Sequence, residues 1–217
     1  MYVPQHFQET DVGVLHRLIR AHPLGSLVTL TKHGLEANHI PFLLGAEPPP
    51  FGTLQCHVAR ANPLWRDFSR DAEALVIFQG PDTYVSPSWY PSKREHGKVV
   101  PTWNYAVVHG YGHMRVIDDP VWIRAHLERL VAQHEAGRPL PWKVTDAPGE
   151  YIDTMVGVIV GLEIPIGRLV GKWKASQNRS PQDREGVVEG LTREGTEPAR
   201  AMADLVRQAR IAGHENK

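Results

Sequence analysis

Short apolar stretches, rich in β-branched and aromatic residues, recur along the chain with turn residues between them. Strands of a barrel or sandwich produce this spacing, whereas long amphipathic helices do not. The most continuous apolar stretch, Glu73–Gly80, predicts a central strand that is buried on both faces. The other predicted strands are Ser26–Thr31, Leu35–Leu44, Gly52–Val58, Tyr84–Tyr90, Thr102–Ile117, Val156–Ile164 and Arg168–Trp173.

Helix signals are fewer and lie between these strands. Thr10 or Asp11 can cap a first helix, and Asn62-Pro63 begins a short one. Asp119-Pro120 starts the clearest helix, which runs to about Glu135, and the chain beyond Pro181 is polar and mainly helical. We therefore predict a mainly β fold with helices (α+β), in which helices lie against the ends of a β-barrel. The barrel domain is expected over residues 1–165, and a C-terminal closing segment and helical arm over 166–217.

Charge and cysteine content restrict the possible binding partners of the protein and its possible cellular compartment. The 217 residues include 24 basic and 24 acidic side chains, so the formal net charge is zero. A nucleic-acid-binding protein usually has a basic excess, so the charge does not support DNA as a partner. The single cysteine, Cys56, fits a reducing compartment. Because we find neither a signal-peptide pattern nor an apolar segment of membrane-spanning length, we expect a cytoplasmic protein with no membrane partner.

A candidate anion site lies where the predicted strand Gly52–Val58 passes into the short helix. The first turn of a helix offers unpaired N–H groups, and Arg60 adds a forked donor that suits phosphate oxygens. His57 can donate a further hydrogen bond. The alternative is an ordinary strand-to-helix junction with a surface arginine.

Three further segments suit a flat or phosphate-bearing ligand. Pro41 cannot donate to a sheet ladder, so the strand around it has a free edge against which a ring system can lie; an edge strand protected from aggregation has the same pattern. Trp103, Asn104 and Tyr105 can cover an aromatic ligand and satisfy its polar edge. The donor-rich segment Lys174–Arg179 suits a loop that closes over a polyol phosphate, and equally a solvated loop.

Other kinds of site are weakly indicated. His109 and His113 are four residues apart, so a strand would place both on one face, but no third ligand is evident and we predict no metal site. We find no Gly-x-Ser-x-Gly motif or Gly-rich phosphate loop, and Cys56 lies in an apolar strand, where a thiol is usually inert.

Several segments together resemble the PaiB family, described as FMN-binding negative transcriptional regulators. Two are specific, Val100-Pro101-Thr102-Trp103-Asn104-Tyr105 and Ser176-Gln177-Asn178-Arg179. The others are Met1-Tyr2-Val3-Pro4, Ala37-Asn38-His39-Ile40-Pro41-Phe42, His57-Val58-Ala59-Arg60-Ala61-Asn62-Pro63, Ser86-Pro87-Ser88-Trp89-Tyr90 and Val108-His109. The resemblance spans nearly the whole chain in order. It implies a split β-barrel of the pyridoxine-phosphate-oxidase-like kind, whose homodimer forms two FMN sites at its interface.

This resemblance assigns the candidate residues to FMN. Arg60 and the helix start would hold the phosphate with help from His57, the Asn38–Pro41 backbone would line the isoalloxazine ring, and Gln79 would reach its polar edge. A second group would close the site from the other subunit or from the returning C-terminal segment. The expected cofactor-binding residues are Asn38, His39, Ile40, Pro41, His57, Ala59, Arg60, Asn62, Pro63, Gln79, Trp103, Lys174, Ser176, Gln177 and Asn178.

The resemblance leaves the activity open between two classes. The first is negative regulation of transcription, direct or indirect. Against direct DNA binding, the helix after Asp119 is expected to leave Arg124, His126, Glu128 and Arg129 outside, a surface of mixed charge. The second is a flavin-dependent oxidoreductase acting on a small molecule, since the flavin itself performs the hydride chemistry. A more distant alternative is a haem-binding or haem-degrading protein with His109 or His113 as axial ligand.

Overall fold

The computed structural model describes residues 1–209 as an α+β fold with two antiparallel sheets. This confirms the predicted fold class at that level. The strands are β1 (Gln8–Glu9), β2 (Leu24–Thr31), β3 (Gly34–Pro41), β4 (Leu43–Gly45), β5 (Thr53–Ala59), β6 (Ala74–Val85), β7 (Thr102–Gly112), β8 (Arg115–Ile117), β9 (Ile159–Pro165) and β10 (Arg168–Lys174). The helices are α1 (Val12–Ala21), α2 (Leu64–Asp67), α3 (Ser92–His96), α4 (Pro120–Glu135), α5 (Gly149–Gly157), α6 (Pro181–Glu194) and α7 (Glu197–Gln208).

The two sheets divide the strands unevenly. The larger has six strands in the order β1-β10-β7-β6-β2-β3, and the smaller has four in the order β4-β5-β9-β8. In the first, β2 and β3 form a hairpin whose register pairs Leu24 with Pro41 and Leu30 with Leu35. In the second, β5 pairs with β9 along its whole length, from Thr53 to Ala59. β3 is therefore an edge strand, as Pro41 suggested.

The chain forms two compact units. Unit 1 comprises Met1–Leu18, Gln79–Val108 and the chain from Val170 onward, and unit 2 comprises Ile19–Phe78 and His109–Leu169. In unit 1, α6 and α7 pack on a buried cluster that includes Val85, Tyr90 and Met202. In unit 2, Ile123 of α4 packs with Val144 and two residues of α5. The predicted division at residue 165 stays a prediction, and residues 210–217 of its second part lie outside the described residues.

The predicted helix starts are confirmed by their capping bonds. Asp11 accepts a hydrogen bond from the Val14 amide, Asn62 from the Leu64 amide at 2.9 Å, and Asp119 from the Val121 amide at 2.9 Å. Each carboxylate or amide oxygen satisfies a donor that the first turn leaves free. The helix after Asn62 has only one turn, so its dipole contributes little to anion binding.

The predicted strand Leu35–Leu44 is wrong in its extent, because the chain changes sheets near its end. β3 ends at Pro41 and β4 begins at Leu43 in the other sheet. Pro41 has no N–H for a ladder, and the Phe42 amide donates instead to the Pro23 carbonyl at 2.8 Å. Phe42 is buried, so the side chain between the two strands anchors the bend.

Two other strand predictions need correction. The segment Glu73–Gly80 does not lie between two buried faces: residues of β6 alternate between buried and partly exposed, and Gln79 is exposed. Strand structure also ends at Val85, so the second half of Tyr84–Tyr90 is a short 3-10 helix at Pro87–Trp89. A continuous apolar segment indicates that a strand is largely buried, but it does not show how completely other elements cover each of its two faces.

The start of the predicted strand Val156–Ile164 is instead the end of α5. Ile152 and Val156, four residues apart, share the buried side of this helix, and β9 begins only at Ile159. Helical periodicity was hidden here because the apolar residues run directly into the strand that follows. Within residues 1–209, no helix has the length and apolarity that crossing a membrane requires.

Candidate functional site

Arg60, the expected phosphate ligand, lies just after β5 in unit 2 and is held by several acceptors. Its Nη1 and Nη2 donate to the two carboxylate oxygens of Asp118 at 2.9 and 2.6 Å. Nε donates to the Gly157 carbonyl at 2.9 Å, and Nη2 also donates to the Ile159 carbonyl at 3.1 Å. This hydrogen-bonded pairing holds the pKa of the Asp118 carboxyl below its usual value. Four of the five guanidinium N–H groups are thus occupied, so Arg60 would have to exchange acceptors to bind a phosphate.

Asn38 and Asn62 are brought together by the fold. The Asn62 Nδ2 donates to Asn38 Oδ1 at 3.0 Å, which links β3 to the turn before α2. Asn38 Nδ2 is buried and has no hydrogen-bond partner among the described residues. A buried amide donor without an acceptor is costly. The pair therefore presents a donor that a ligand oxygen would satisfy.

Several other expected FMN-binding residues are close to Asn38 or Asn62 in the sequence. Ile40 is buried, and His39 accepts or donates a 3.0 Å hydrogen bond with the Ser26 hydroxyl. Pro41, Ala59 and Pro63 are exposed. Their side chains supply no polar group, so only their backbones could contribute hydrogen bonds to a ligand.

His57 is engaged with a residue that the sequence placed on the surface. His57 Nδ1 lies 3.2 Å from His126 Nε2, and the His126 ring stacks on Trp122 with the planes 8° apart. His126 is fully buried, so the prediction that it faces outward is wrong. The helical pattern of α4 placed His126 among polar neighbours, but a histidine on β5 faces that side of the helix and gives it a partner.

Burial disfavours protonation of both rings. It lowers the pKa of His57, and for His126 it lowers the pKa to about 4, with smaller contributions from the positive charges of His57 and Arg129. One hydrogen bond joins two neutral rings, and His126 Nδ1 has no partner in the described part of the chain. The pair is thus a neutral contact at physiological pH.

A polar chain continues from this contact across β5 and β9. Gln55 Nε2 and Trp122 Nε1 both donate to Glu163 Oε1, at 2.7 and 3.3 Å. Arg129 donates to Gln55 Oε1 at 3.1 Å. These bonds fix α4 on the smaller sheet, and local sequence patterns could not indicate them because the partners are distant along the chain.

The second group of predicted residues lies in unit 1, around the end of β10. Ser176 is buried, has φ of 62°, and accepts a 2.9 Å hydrogen bond from Asn104 Nδ2. Gln177 is also buried, and its amide bonds the Ala175 N–H and the Trp173 carbonyl. Their side chains therefore hold the loop itself, and the loop is not the solvated segment that was the alternative.

The other members of this group remain accessible. Trp103 and Asn178 are exposed, and Trp103 meets Tyr84 edge to face with ring centroids 6.2 Å apart. Lys174 Nζ donates to the Trp103 carbonyl at 2.7 Å and to Thr102 Oγ1. Gln79 donates to Asp82 at 2.8 Å. The predicted residues thus form two sets, one in each unit.

The histidines considered for metal or haem do not share a strand. His109 lies on β7, where its Nδ1 is 3.3 Å from the Tyr111 hydroxyl. β7 ends at Gly112, so His113 lies beyond it, and the expectation of a common strand face is wrong. Among residues 1–209, no three His, Cys, Asp or Glu side chains converge as metal ligands. Burial raises the pKa of the Cys56 thiol far above its usual value, which is consistent with an inert cysteine.

Comparison with known proteins identifies a sequence family that this chain matches. Residues 1–168 match the sequence family described as "Putative FMN-binding domain". The chain is 31% identical to "Protease synthase and sporulation protein PAI 2" of Bacillus subtilis, over 95% of this chain and 96% of that protein. It is 35% identical to an uncharacterized protein of Emericella nidulans, over 96% of this chain and 97% of that one.

Solved structures share the fold at low sequence identity. The flavocytochrome Anf3 of Azotobacter vinelandii superposes with a TM-score of 0.57 and 13% identity, covering 79% of this chain and 72% of its own. The FAD and heme binding protein of Mycobacterium smegmatis gives a TM-score of 0.57 and 19% identity, covering 77% and 73%. At these identities the likeness establishes a common fold and nothing finer.

Proposed function

Because the chain belongs to the PaiB family of FMN-binding proteins, we propose that it binds FMN non-covalently on a split β-barrel. The family match over residues 1–168 carries this proposal. The fold supports it with an edge strand, β3, and with the unpaired amide donor of Asn38 beside it. Bound FMN would supply hydride chemistry, while this chain would position the ring and the phosphate.

In unit 2, the free amide donor of Asn38 fits an FMN oxygen, but Arg60 can bind the FMN phosphate only under one condition. Asn38 Nδ2 fits a ring or ribityl oxygen, and Asn62 holds Asn38 in place. Arg60 retains its predicted phosphate role only if the phosphate competes with Asp118 for the guanidinium. The phosphate would then replace one anionic partner by another, which leaves the arginine charge paired.

We further propose that the protein is a homodimer, because one sheet face of unit 2 carries several exposed apolar side chains. Leu24, Leu30 and Leu35 are 63%, 44% and 79% exposed. By register they lie on one face of the β2–β3 hairpin, and Leu75 and Ile77 of β6 extend it. We call this surface the hairpin face. A second copy of the chain would cover it, as a flavin that needs burial on several sides requires.

We propose that any effect on transcription is indirect and acts through a small molecule or a partner protein. We also propose that the protein is cytoplasmic. Two of the arginines on α4 and α7 are already paired, Arg124 with Asp153 and Arg207 with Asp204. Catalysis by the flavin remains the alternative for the same site.

Titration of the purified protein with FMN and riboflavin tests the flavin proposal. We expect quenching of FMN fluorescence at micromolar protein. If Arg60 binds the phosphate, Arg60→Ala weakens FMN binding about tenfold or more, the effect of losing a hydrogen bond between charged groups, and leaves riboflavin binding unchanged. Asp118→Asn frees the guanidinium and should preserve or strengthen FMN binding.

Arg66→Ala is the matched control, because Arg66 is exposed on the neighbouring α2 and stacks on Trp65. It should bind FMN as the unmodified protein does. Equal losses of FMN and riboflavin in Arg60→Ala would restrict Arg60 to its structural contacts. Absence of quenching at micromolar protein would contradict FMN binding altogether.

A further inference from the structure

The His57–His126 contact joins two ring nitrogens, so only one of the two can carry the shared proton. His57 Nδ1 lies 3.2 Å from His126 Nε2. Burial lowers the pKa of each ring, so both are neutral at pH 7.5. A neutral imidazole has one N–H and one bare nitrogen. The ring that donates in this contact therefore decides whether the other nitrogen of His57, Nε2, is a donor or an acceptor.

The second nitrogen of His126 favours one of the two arrangements. His126 is fully buried, and its Nδ1 has no hydrogen-bond partner in residues 1–209. If His57 donated, His126 would carry its own proton on Nδ1, as a buried N–H without an acceptor. If His126 donates from Nε2, its Nδ1 is a bare nitrogen, and buried acceptors without a partner are tolerated more often than buried donors. The favoured arrangement therefore leaves the proton of His57 on Nε2.

Trp122 holds the His126 ring in place for this contact. The two rings stack with their planes 8° and their centroids 5.1 Å apart, and Trp122 Nε1 donates to Glu163 of β9 at 3.3 Å. A Cβ on Gly161, also in β9, would lie 2.3 Å from the Trp122 ring, so glycine is needed there to leave room for the indole. The orientation of His126 is thus set by contacts that do not involve His57.

The second nitrogen of His57 is free for a ligand. The side chain is half-buried, and within the described chain its Nε2 has no hydrogen-bond partner. His57 contacts α4, and Arg60 pairs with Asp118, which lies two residues before that helix. The two side chains expected to hold the phosphate therefore lie on the same side of the smaller sheet. An N–H at Nε2 suits a phosphate oxygen, which only accepts.

We propose that His126 is a positioning residue for the FMN phosphate: by donating to His57 Nδ1, it keeps His57 in the Nε2–H tautomer, which donates to a phosphate oxygen. The inference rests on the proposed FMN site and adds to it a residue of α4 that the family resemblance did not indicate. His126 should therefore favour FMN over riboflavin, which lacks the phosphate.

The tautomer of His57 can be measured in the full chain without any flavin. Long-range ¹H–¹⁵N NMR spectra distinguish the N–H nitrogen of a neutral imidazole from the bare one, and the spectrum of a His57→Leu variant assigns the signals. At pH 7.5 we expect the proton of His57 on Nε2 and that of His126 also on Nε2. A proton on His57 Nδ1 in the unmodified protein would overturn the proposal.

Flavin affinities, measured by fluorescence quenching, show whether this tautomer serves the phosphate. His57→Leu should weaken FMN binding about tenfold and leave riboflavin binding unchanged. His126→Leu keeps an apolar side chain but no donor, so it should weaken FMN binding about threefold, again without an effect on riboflavin. His126→Gln keeps an N–H donor and should bind FMN as the unmodified protein does. If His126 acted only through packing, the leucine variant would bind FMN no worse than the glutamine variant, and the proposal would be overturned.

His134→Leu is the matched control, because His134 is an exposed histidine on the same helix. It should change neither affinity. Circular dichroism confirms that each variant is folded, and the tautomer in the unmodified protein decides the proposal if a variant of the buried pair does not fold.

The outcomes separate this inference from the flavin proposal. FMN binding by a protein whose His57 carries its proton on Nδ1 would support the flavin proposal and overturn this one. Failure of the unmodified protein to bind FMN would overturn the flavin proposal and, with it, the phosphate role of His57, whichever tautomer the spectra show.

Discussion

At the scale of single residues, the His57–His126 contact makes the stability of the fold depend on pH. His126 is fully buried, its Nε2 faces His57, and its pKa is lowered to about 4. In the unfolded chain a histidine titrates near its ordinary pKa of about 6.5. Between these values the unfolded state binds more protons than the folded state, so stability falls as pH decreases from about 6.5 to about 4.

His126→Gln should remove most of this dependence. By linkage, His126 alone lowers the free energy of unfolding by about 2 kcal/mol between pH 7.5 and pH 5. The variant loses the stacking on Trp122 and should be less stable at pH 7.5, but its stability should decline less on acidification by about that amount. Urea unfolding at the two pH values measures both effects.

His134→Gln is the control, since His134 is exposed on the same helix. It should keep the pH dependence of the unmodified protein. If His126→Gln also kept that dependence, the buried contact would not be its source.

The same residues show what the sequence can predict at this scale. The caps at Asp11, Asn62 and Asp119 were predictable because each depends on a donor two or three residues away. His126 and the Arg60–Asp118 pair were not, because their partners lie 69 and 58 residues away. Residue type and local spacing contain no information on which distant side chain will face them.

At the scale of elements, local patterns located most strands but not the sheets to which they belong. The predicted strands Ser26–Thr31 and Leu35–Leu44 correspond to the β2–β3 hairpin, apart from the end of the second strand. The split at Phe42 was missed, since an apolar residue after a proline continues an apolar pattern equally well in either sheet. The second of the two resulting strands, β4, pairs with β5.

The hairpin face gives the element-scale prediction. Leu35→Glu places a charge in the proposed contact between two copies, where burial without a partner is strongly unfavourable. Analytical ultracentrifugation should find the unmodified protein at twice the 24.3 kDa mass of the chain and the variant as a monomer.

Leu140→Glu tests whether any exposed apolar residue has this effect, because Leu140 is 91% exposed and lies outside the hairpin face. It should remain dimeric. A stable monomer of the unmodified protein would contradict the homodimer, and a dimeric Leu35→Glu variant would move the interface elsewhere.

At the scale of the whole molecule, the charge distribution argues against direct operator binding. Basic and acidic side chains are equal in number, and five arginines in the described part of the chain form ion pairs. These are Arg60, Arg124, Arg138, Arg168 and Arg207. Phosphate contacts by these five arginines would have to replace existing pairs, so they would release fewer counterions and add little affinity.

Footprinting of the upstream region of its own gene with the pure protein checks this expectation. We expect no protected sequence at nanomolar protein and about 0.15 M salt, and any retardation in gel shifts should disappear with modest added salt. A nanomolar, sequence-specific footprint under those conditions would establish direct regulation and contradict our interpretation of the charges.

The discontinuous construction of unit 1 has a consequence for how the chain is made. Its first segment, Met1–Leu18, leaves the ribosome long before β10, the strand on which β1 pairs, and β10 is also the neighbour of β7. Until β10 is synthesised, one edge of β7 has no partner, and an unpaired edge favours association with other chains. A chain cut after residue 168, where the family match ends, would keep that edge permanently and would also lack α6 and α7. The final fifth of the polypeptide therefore protects strands that are translated much earlier.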